Sequence, residues 1–233
     1  MTARLIVRTL SELCVTVGSV IVLFVTYVLF WTGVRADSAM HGEIDRLQER
    51  WSDGPVAGAP AGPEPDGAGA PPTAAPYVRG KAFAVMYIPR FGDSWAKPVL
   101  EGTGRDTLSR GLGHYARTAP LGARGNFSVA GHRRTHGDPF KDFPKLRPGD
   151  AVVLTDGTTW FTYRIDRRPY RTLPTDTGVI DPVPRKSGYG GPGRYLTLTT
   201  CDPEWGHSHR LIAWAHLDDT RRVGAGKPDA LRS

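Results

Sequence analysis

The sequence contains very little cysteine: Cys14 and Cys201 are the only two in 233 residues. Two thiols cannot build a disulfide framework, so an extracytoplasmic domain in this chain would depend on its hydrophobic core for stability. Cys14 falls inside a long apolar run and Cys201 lies far beyond it, so we expect no bond between them. A lone thiol such as Cys201 is more often a small buried side chain than a nucleophile, so its surroundings must decide its role.

The sequence also lacks any recognisable nucleic-acid-binding motif, although its formal charge is +7. A basic chain suits an anionic partner such as a cell-envelope polymer or phospholipid headgroups, whereas a nucleic-acid partner usually requires a reading motif as well. We therefore expect no nucleic-acid partner. A second interpretation stays open, in which the arginines reflect a GC-rich coding style and a soluble surface.

One long apolar run lies near the N terminus, at residues 13–34. As a helix, its roughly 22 residues would span the ~30 Å hydrocarbon layer of a membrane. A cleaved signal peptide would have a shorter apolar region, of about 7–15 residues, that ends in a small-x-small site. Arg4 and Arg8 precede the run and acidic residues follow it, which favours a cytoplasmic segment 1–12. The predicted location is therefore the cell membrane, single-pass, with the remaining chain outside.

Four segments follow the apolar run. Residues 35–51 carry apolar side chains at helical spacing among charges, which predicts an amphipathic stalk. Residues 52–76 are mostly Gly, Pro and Ala, which predicts an extended linker that leaves the following domain tethered but free to move. Residues 77–218 have short apolar runs cut by Gly, Pro and Asp, typical of a mostly β barrel or sandwich. Residues 219–233 are predicted to form a frayed polar tail. The strands predicted in the domain are residues 82–88, 126–131, 151–154, 159–165, 195–200 and 211–217.

The position of Cys201 relative to Arg210 suggests a reactive site. Cys201 ends one predicted strand and Arg210 begins the next, so an antiparallel hairpin would bring them opposite each other. Alone, Arg210 would be an ordinary solvated charge, but beside a thiol it can stabilise a thiolate or a developing oxyanion. A thiol nucleophile also needs an imidazole partner. His132 follows a strand directly, whereas His207 and His209 lie in a loop, and spacing alone does not choose among them.

Two segments resemble signatures of the sortase family. Residues 197–201, Thr-Leu-Thr-Thr-Cys, with Arg210 nine residues on, resemble the Thr-Leu-x-Thr-Cys signature, and residues 125–133 resemble the strand that carries the catalytic histidine of sortases. The resemblance covers roughly residues 77–217. Gly-His-Tyr at residues 113–115 is most similar to the class E, housekeeping-type sortases of high-GC actinobacteria. The fold implied is mostly β, a closed eight-stranded barrel with short helices, preceded by a transmembrane helix and linker.

By this resemblance, Cys201 attacks the Thr–Gly carbonyl of a sorting signal of the Leu-Ala-x-Thr-Gly or Leu-Pro-x-Thr-Gly type. His132 would protonate the leaving amine and Arg210 would hold the oxyanion. The thioester would then pass to an amine of a peptidoglycan precursor, which joins a secreted protein to the wall. Thr200 and Tyr115 are expected to contact the substrate. The resemblance implies no cofactor.

Other interpretations stay open at this point. Cysteine transpeptidases of the L,D type also use Cys, His and Arg, but they place Ser-His-Gly just ahead of the cysteine, and that run is absent here. A membrane-tethered wall-binding module with an inert, buried Cys201 would also suit the basic charge. No His/Cys/carboxylate spacing matches a metal-ligand set, so no metal is predicted, although a calcium site on loops stays open. His136 stands where many sortases have Tyr, which concerns fine substrate preference.

Overall fold

The computed structural model describes residues 2–53 and 77–232, so nearly all of the predicted linker, residues 52–76, lies outside the described residues. A single helix, α1 (Thr2–Asp53), contains both the predicted membrane span and the predicted stalk. Its stretch Ile6–Tyr27 is long and apolar enough to cross a membrane. The large apolar side chains of this stretch, such as Leu23, are exposed instead of packed against the protein. The candidate span thus begins earlier than the predicted residues 13–34.

The rest of the described chain forms strands joined by turns and short helices. A four-residue helix, α2 (Arg105–Leu108), and 3₁₀ turns at Pro89–Phe91, Phe143–Lys145, Thr177–Ile180, Val223–Ala225 and Asp229–Leu231 interrupt the strands. The strands are β1 (Ala82–Tyr87), β2 (Ala96–Glu101), β3 (Leu112–His114), β4 (Gly125–Ala130), β5 (Ala151–Thr155), β6 (Thr159–Ile165), β7 (Tyr170–Thr172), β8 (Arg194–Asp202) and β9 (His209–Arg222).

Eight of these strands close into a barrel, which confirms the predicted fold class. They pair in the order β6-β5-β1-β2-β3-β4-β8-β9, and β6 pairs with β9 to complete the ring. The short strand β7 adds to β9 outside the ring. Two neighbouring pairs, β2–β3 and β4–β8, are parallel, and the other pairs are antiparallel. The parallel β4–β8 pair matters most for function because both strands end at the same edge of the barrel.

Alternation along the strands decides which side chains fill the barrel. In β8, Leu196 and Leu198 lie in the main core, and in β9 Leu211, Ala213 and Ala215 do the same. Successive side chains of a strand point to opposite faces of the sheet. The residues between them therefore point outward, and this outer face of β4, β8 and β9 carries the predicted site.

The segment predicted to be a stalk packs against the barrel. Ile44 and Leu47 of α1 are buried with Val85 on the outer face of β1, which explains why β1 is apolar on both faces. Met40 is only 1% exposed. At the edges of this contact, Lys97 donates a 3.0 Å hydrogen bond to Asp37, and Arg110 donates a 2.7 Å hydrogen bond to Glu43. Residues 36–51 thus share a hydrophobic contact with the barrel, and the stalk is not a free-standing spacer.

Three strands and one boundary differ from the prediction. β2 was not predicted because Lys97 and Pro98 interrupt its pattern, β3 because it is short and contains Gly113, and β7 because it is short and exposed. β9 continues to Arg222, four residues beyond the predicted end of the domain, because its polar end pairs with the solvent-facing start of β6. Part of the predicted polar tail is therefore barrel.

Candidate active site

The β8–β9 hairpin brings Cys201 and Arg210 directly opposite each other, as the sequence predicts. Both side chains belong to the outward-facing set of their strands, because the core residues are their alternate neighbours. Cys201 is a free thiol and is partly exposed. A thiol on a rigid strand, open to solvent and paired across the hairpin with an arginine, has the position that a nucleophile requires.

His132 reaches the same edge of the barrel from β4. The parallel pairing aligns Ala130 with Thr199, and the backbone N–H of Gly131 donates to the Thr199 carbonyl over 3.1 Å. Two residues further along each strand, His132 and Cys201 therefore emerge side by side. Together they line a cavity of about 240 Å³, whose walls also include His207 from the β8–β9 loop. The described structure thus brings the predicted nucleophile and the predicted imidazole into one cavity.

Thr200 connects the two strand ends from inside the barrel. Its side chain is 2% exposed, and its hydroxyl donates a 2.8 Å hydrogen bond to the carbonyl of Gly131, the residue before His132. The hydroxyl faces β4 and lies away from solvent, and the predicted contact of Thr200 with substrate stays a prediction. Thr200 is placed to hold the residues before Cys201 and His132 together.

An ion pair joins the residues that follow the two reactive side chains. Arg133, next to His132, donates to Asp202, next to Cys201, and Arg171 of β7 donates to the same carboxylate over 2.6 Å. Burial would raise the pKa of Asp202, but the hydrogen bonds from Arg171 and Arg133 outweigh it and bring this pKa below its usual value. Asp202 is therefore ionised near neutral pH and ties the two segments together.

A second set of contacts encloses the cavity from the side of the β8–β9 loop. Arg134 pairs with Glu204 of this loop and also with Asp138, the latter at 3.1 Å. The same guanidinium lies 4.7 Å from the ring centre of Trp205, which is 76% exposed. The loop after β4 and the loop after β8 therefore hold each other through charged contacts, and Trp205 forms the outer wall.

The electrostatic environment of His132 favours its neutral form. Burial lowers the pKa of His132, and the nearby charge of His136 lowers it further. The two rings are stacked, with centroids 4.7 Å apart and planes 20° apart. A neutral imidazole at physiological pH can accept the thiol proton of Cys201.

Arg210 lies between this cavity and a second one. It donates to the carbonyls of His207 and His209, each over 2.9 Å, and within residues 2–53 and 77–232 it has no carboxylate partner. It also lines a cavity of about 120 Å³ that includes Tyr115 and Thr199. A guanidinium not neutralised by a carboxylate can stabilise an oxyanion that forms at the neighbouring thiol.

Tyr115 occupies the wall of the second cavity, and its hydroxyl lies 3.0 Å from the Thr199 hydroxyl. Thr199 was not among the predicted site residues, although alternation could have found it. Thr199 and Cys201 are two residues apart and share the outer face of β8, whereas Thr200 faces inward. His209 contacts Arg171 at 3.0 Å and does not line the cavity of Cys201, whereas His207 does.

Comparison with known proteins identifies the family. A sequence profile described as Sortase domain matches residues 86–218. The chain therefore belongs to the sortase family, whose members are cysteine transpeptidases.

Individual relatives agree with this assignment. Sortase SrtE1 of Streptomyces coelicolor is 40% identical over 97% of this chain, which spans 61% of the length of that relative. Sortase SrtE2 of the same organism is 32% identical, with 97% of this chain and 88% of the relative covered. A solved structure of sortase E from Streptomyces avermitilis is 74% identical, with a TM-score of 0.64, and covers 67% of this chain and 100% of that one. Sortase E1 of Streptomyces coelicolor, solved with a tripeptide in the active site, is 41% identical, with a TM-score of 0.61, and covers 65% and 97%.

Proposed function

We propose that this chain is a membrane-anchored class E sortase that cleaves a C-terminal sorting signal between Thr and Gly and transfers the protein to a peptidoglycan amine. One observation carries the proposal. Cys201 and His132 end two neighbouring parallel strands and share one cavity, and Arg210 is paired with Cys201 across the hairpin. The alternative of an inert, buried thiol loses its support because Cys201 is partly exposed on a cavity wall.

Acylation follows from this arrangement. The proton of the Cys201 thiol passes to neutral His132, and the sulfur forms a bond to the carbonyl carbon of the signal threonine. The electron pair of the C=O π bond moves to oxygen, where the Arg210 guanidinium stabilises the charge. When the tetrahedral intermediate collapses, the C–N bond breaks and the glycine amine leaves with the proton held by His132. A thioester on Cys201 remains.

Transfer reverses these roles. An acceptor amine attacks the thioester carbonyl and gives a proton to His132, and Arg210 again holds the oxyanion. Collapse of this intermediate breaks the C–S bond, so a new amide forms and the sulfur recovers its proton from His132. No oxidant, reductant or metal takes part in this scheme. The acceptor is a peptidoglycan precursor, as proposed above, and the substrates are secreted proteins that bear the signal.

The second cavity is the proposed subsite for the signal residues before threonine. Its walls include the apolar side chains of Leu173, Val179, Ile180 and Ile212 together with Tyr115. Its volume of about 120 Å³ suits a small apolar side chain. The cavity adjoins Arg210, so a peptide lying along it would present its carbonyl to Cys201. We propose Leu-Ala-x-Thr-Gly as the preferred signal, with Leu-Pro-x-Thr-Gly as the competing peptide.

The decisive experiment uses the full chain in detergent micelles with a quenched Leu-Ala-x-Thr-Gly peptide and a candidate amine, and products are identified by mass spectrometry. Cys201→Ala should abolish cleavage, whereas Cys14→Ala, which removes the other thiol, should retain wild-type turnover. Hydroxylamine should release the acyl group as a hydroxamate only when Cys201 is present. Wild-type turnover by the Cys201→Ala protein would overturn the proposal.

The role of His132 has its own control. His132→Ala should lose nearly all turnover, whereas His209→Ala, outside the cavity of Cys201, should retain it. If His132→Ala remains active and His207→Ala does not, the base is His207, the other histidine that lines this cavity. Parallel reactions with the Ala and Pro peptides measure the preference at the second signal position.

A further inference from the structure

His136 is the aromatic side chain that covers His132, yet the reaction described above does not use it. The two rings lie nearly parallel, with centroids 4.7 Å apart. His136 is exposed, and its Nδ1 lies 3.0 Å from the hydroxyl of Thr135. One ring of the pair therefore lines the cavity of Cys201, and the other faces solvent.

An unusual backbone turn produces this stack. Four consecutive residues, 135–138, have positive φ angles of 83°, 50°, 77° and 48°. Only the third of them is glycine, and non-glycine residues in this region persist when their surroundings hold them there. The turn is closed by a 2.6 Å hydrogen bond from the Thr135 amide to Asp138, whose other carboxylate oxygen accepts from Arg134 over 3.1 Å. The chain thus folds back and lays His136 on His132.

The helix α1 supports the outer side of the same turn. A Cβ atom placed on Gly137 would lie 2.5 Å from the terminal methyl of Met40 and 2.8 Å from a carboxylate oxygen of Asp37. The backbone of the turn therefore packs directly on the helix. Because the turn is held on one side by Asp138 and on the other by Met40, the position of His136 is fixed by the fold.

We propose that His136 is a positioning residue that orients the imidazole of His132 by stacking and favours its neutral form at the start of each turnover. This inference rests on the proposed function, because it assumes that His132 exchanges protons with Cys201 and the substrate. His136 touches neither, so it acts only through His132.

The charged neighbours support this role. The charged and titratable groups around the two rings are Arg133, Arg134 and Asp138 from their own loop, Cys201, Asp202, Glu204 and His207 from β8 and its loop, Arg35 and Asp37 from α1, and Arg110. Each of these carboxylates is engaged by an arginine or lysine: Asp202 by Arg133 and Arg171, Glu204 and Asp138 by Arg134, and Asp37 by Lys97. The carboxylates are therefore committed elsewhere, and a second proton on the histidine pair is opposed by the first.

The stack also assists the proton donation that releases the amine. Once His132 has taken the thiol proton, it carries its charge beside a ring that can itself become charged. An imidazolium in that position gives up its proton more readily than an isolated one, since its charged form is disfavoured. Before acylation the contact keeps His132 unprotonated, and after acylation it promotes delivery of the proton to the leaving amine.

The test compares two substitutions of His136 in the full chain. His136→Phe keeps a ring for stacking but removes the charge, whereas His136→Asn removes ring and charge but keeps a residue that tolerates positive φ. His216→Gln is the control. His216 lies on the part of β9 away from the hairpin loop, pairs with Asp166 and lines neither of the two cavities. The readouts are kcat and KM across about pH 5–9 and the pKa of His132 by NMR in a Cys201→Ala background.

His136→Phe keeps a ring but removes the neighbouring charge that lowers the pKa of His132, so this pKa should rise in the variant. His136→Asn should raise this pKa and also lower kcat several-fold with little change in KM, because stacking is lost. His216→Gln should match the wild type. If His132 titrates identically in all four proteins, the inference is wrong, whatever their activity. If the wild-type protein has no transpeptidase activity but the pKa of His132 still rises in His136→Phe, the result would contradict the proposed function and leave this inference intact.

Discussion

Replacement of Asp202 by Asn should destabilise the barrel and slow the reaction, because this carboxylate is the link between the segments after Cys201 and His132. Asp202 accepts hydrogen bonds from Arg133 and Arg171, and the side chains of Asp202 and Arg133 are only 15% and 10% exposed. An amide has the same shape but leaves the Arg133 charge without a counter-ion. Loss of a hydrogen bond between charged groups costs about 2 kcal/mol, which corresponds to a fall of about 4–8 °C in Tm for a chain of this size.

The pH dependence gives a second check on the same reasoning. The folded-state pKa of Asp202 lies below its unfolded value of about 3.9, so its stabilising contribution is complete above pH ~4 and disappears as pH falls through the folded value. The Tm difference between the wild type and Asp202→Asn should therefore be constant near neutrality and shrink in acid.

Thermal unfolding of the full chain in micelles, followed by near-UV circular dichroism, measures this difference. Asp218→Asn is the matched control, because its pair with Arg164 is about 40% exposed on both sides and should contribute well under 1 kcal/mol. An Asp202→Asn protein with the Tm and the kcat of Asp218→Asn would refute the argument that this ion pair holds the site.

Thr200→Val should cost about 1–2 kcal/mol and lower kcat more than it raises KM. Thr162→Val, at a buried hydroxyl with no hydrogen-bond partner among the described residues, should be neutral or stabilising in the same unfolding assay. Met40→Ala should cost about 2–4 kcal/mol, while His41→Ala, at the exposed neighbouring position, should change Tm little; equal Tm values would show that α1 does not pack on the barrel. In the pH profile of kcat/KM, the apparent pKa of the acidic limb should lie below the ordinary histidine value of about 6.5, because neutral His132 is required and its pKa is lowered. An apparent pKa above that value would exclude His132 as the base.

The strands that could be predicted are those whose own sequence has a recognisable hydrophobic pattern. β1, β4, β5, β6, β8 and β9 have enough apolar or alternating residues to be found alone. β2 contains Pro98 and a lysine whose charge is paired with α1, so it forms a strand only because β1 and β3 flank it. β7 is held by β9 in the same way. These strands form because neighbouring strands pair with them, and the sequence of a single segment does not reveal that pairing.

The site residues also differ in how far local sequence could predict their positions. Cys201 and Arg210 are joined by a local hairpin, so their proximity could be predicted from a short stretch of sequence. His132 reaches Cys201 through the parallel β4–β8 pair, whose strands are about 70 residues apart, and spacing carries no information about such a crossover. Thr200 entered the predicted site through its place beside Cys201, and the alternation of β8 places its side chain on the face opposite to that of Cys201.

The packed helix α1 also determines where the enzyme can work. A continuous helix rises ~1.5 Å per residue, so Met40 would lie only ~9 Å beyond Val34, where the apolar run of the sequence ends. If that span crosses the membrane as proposed, the barrel stands at a fixed height just above the lipid surface, and the chain between Asp53 and Tyr77 does not set its reach. The reactive thiol would then meet the proposed secreted substrates close to the membrane surface.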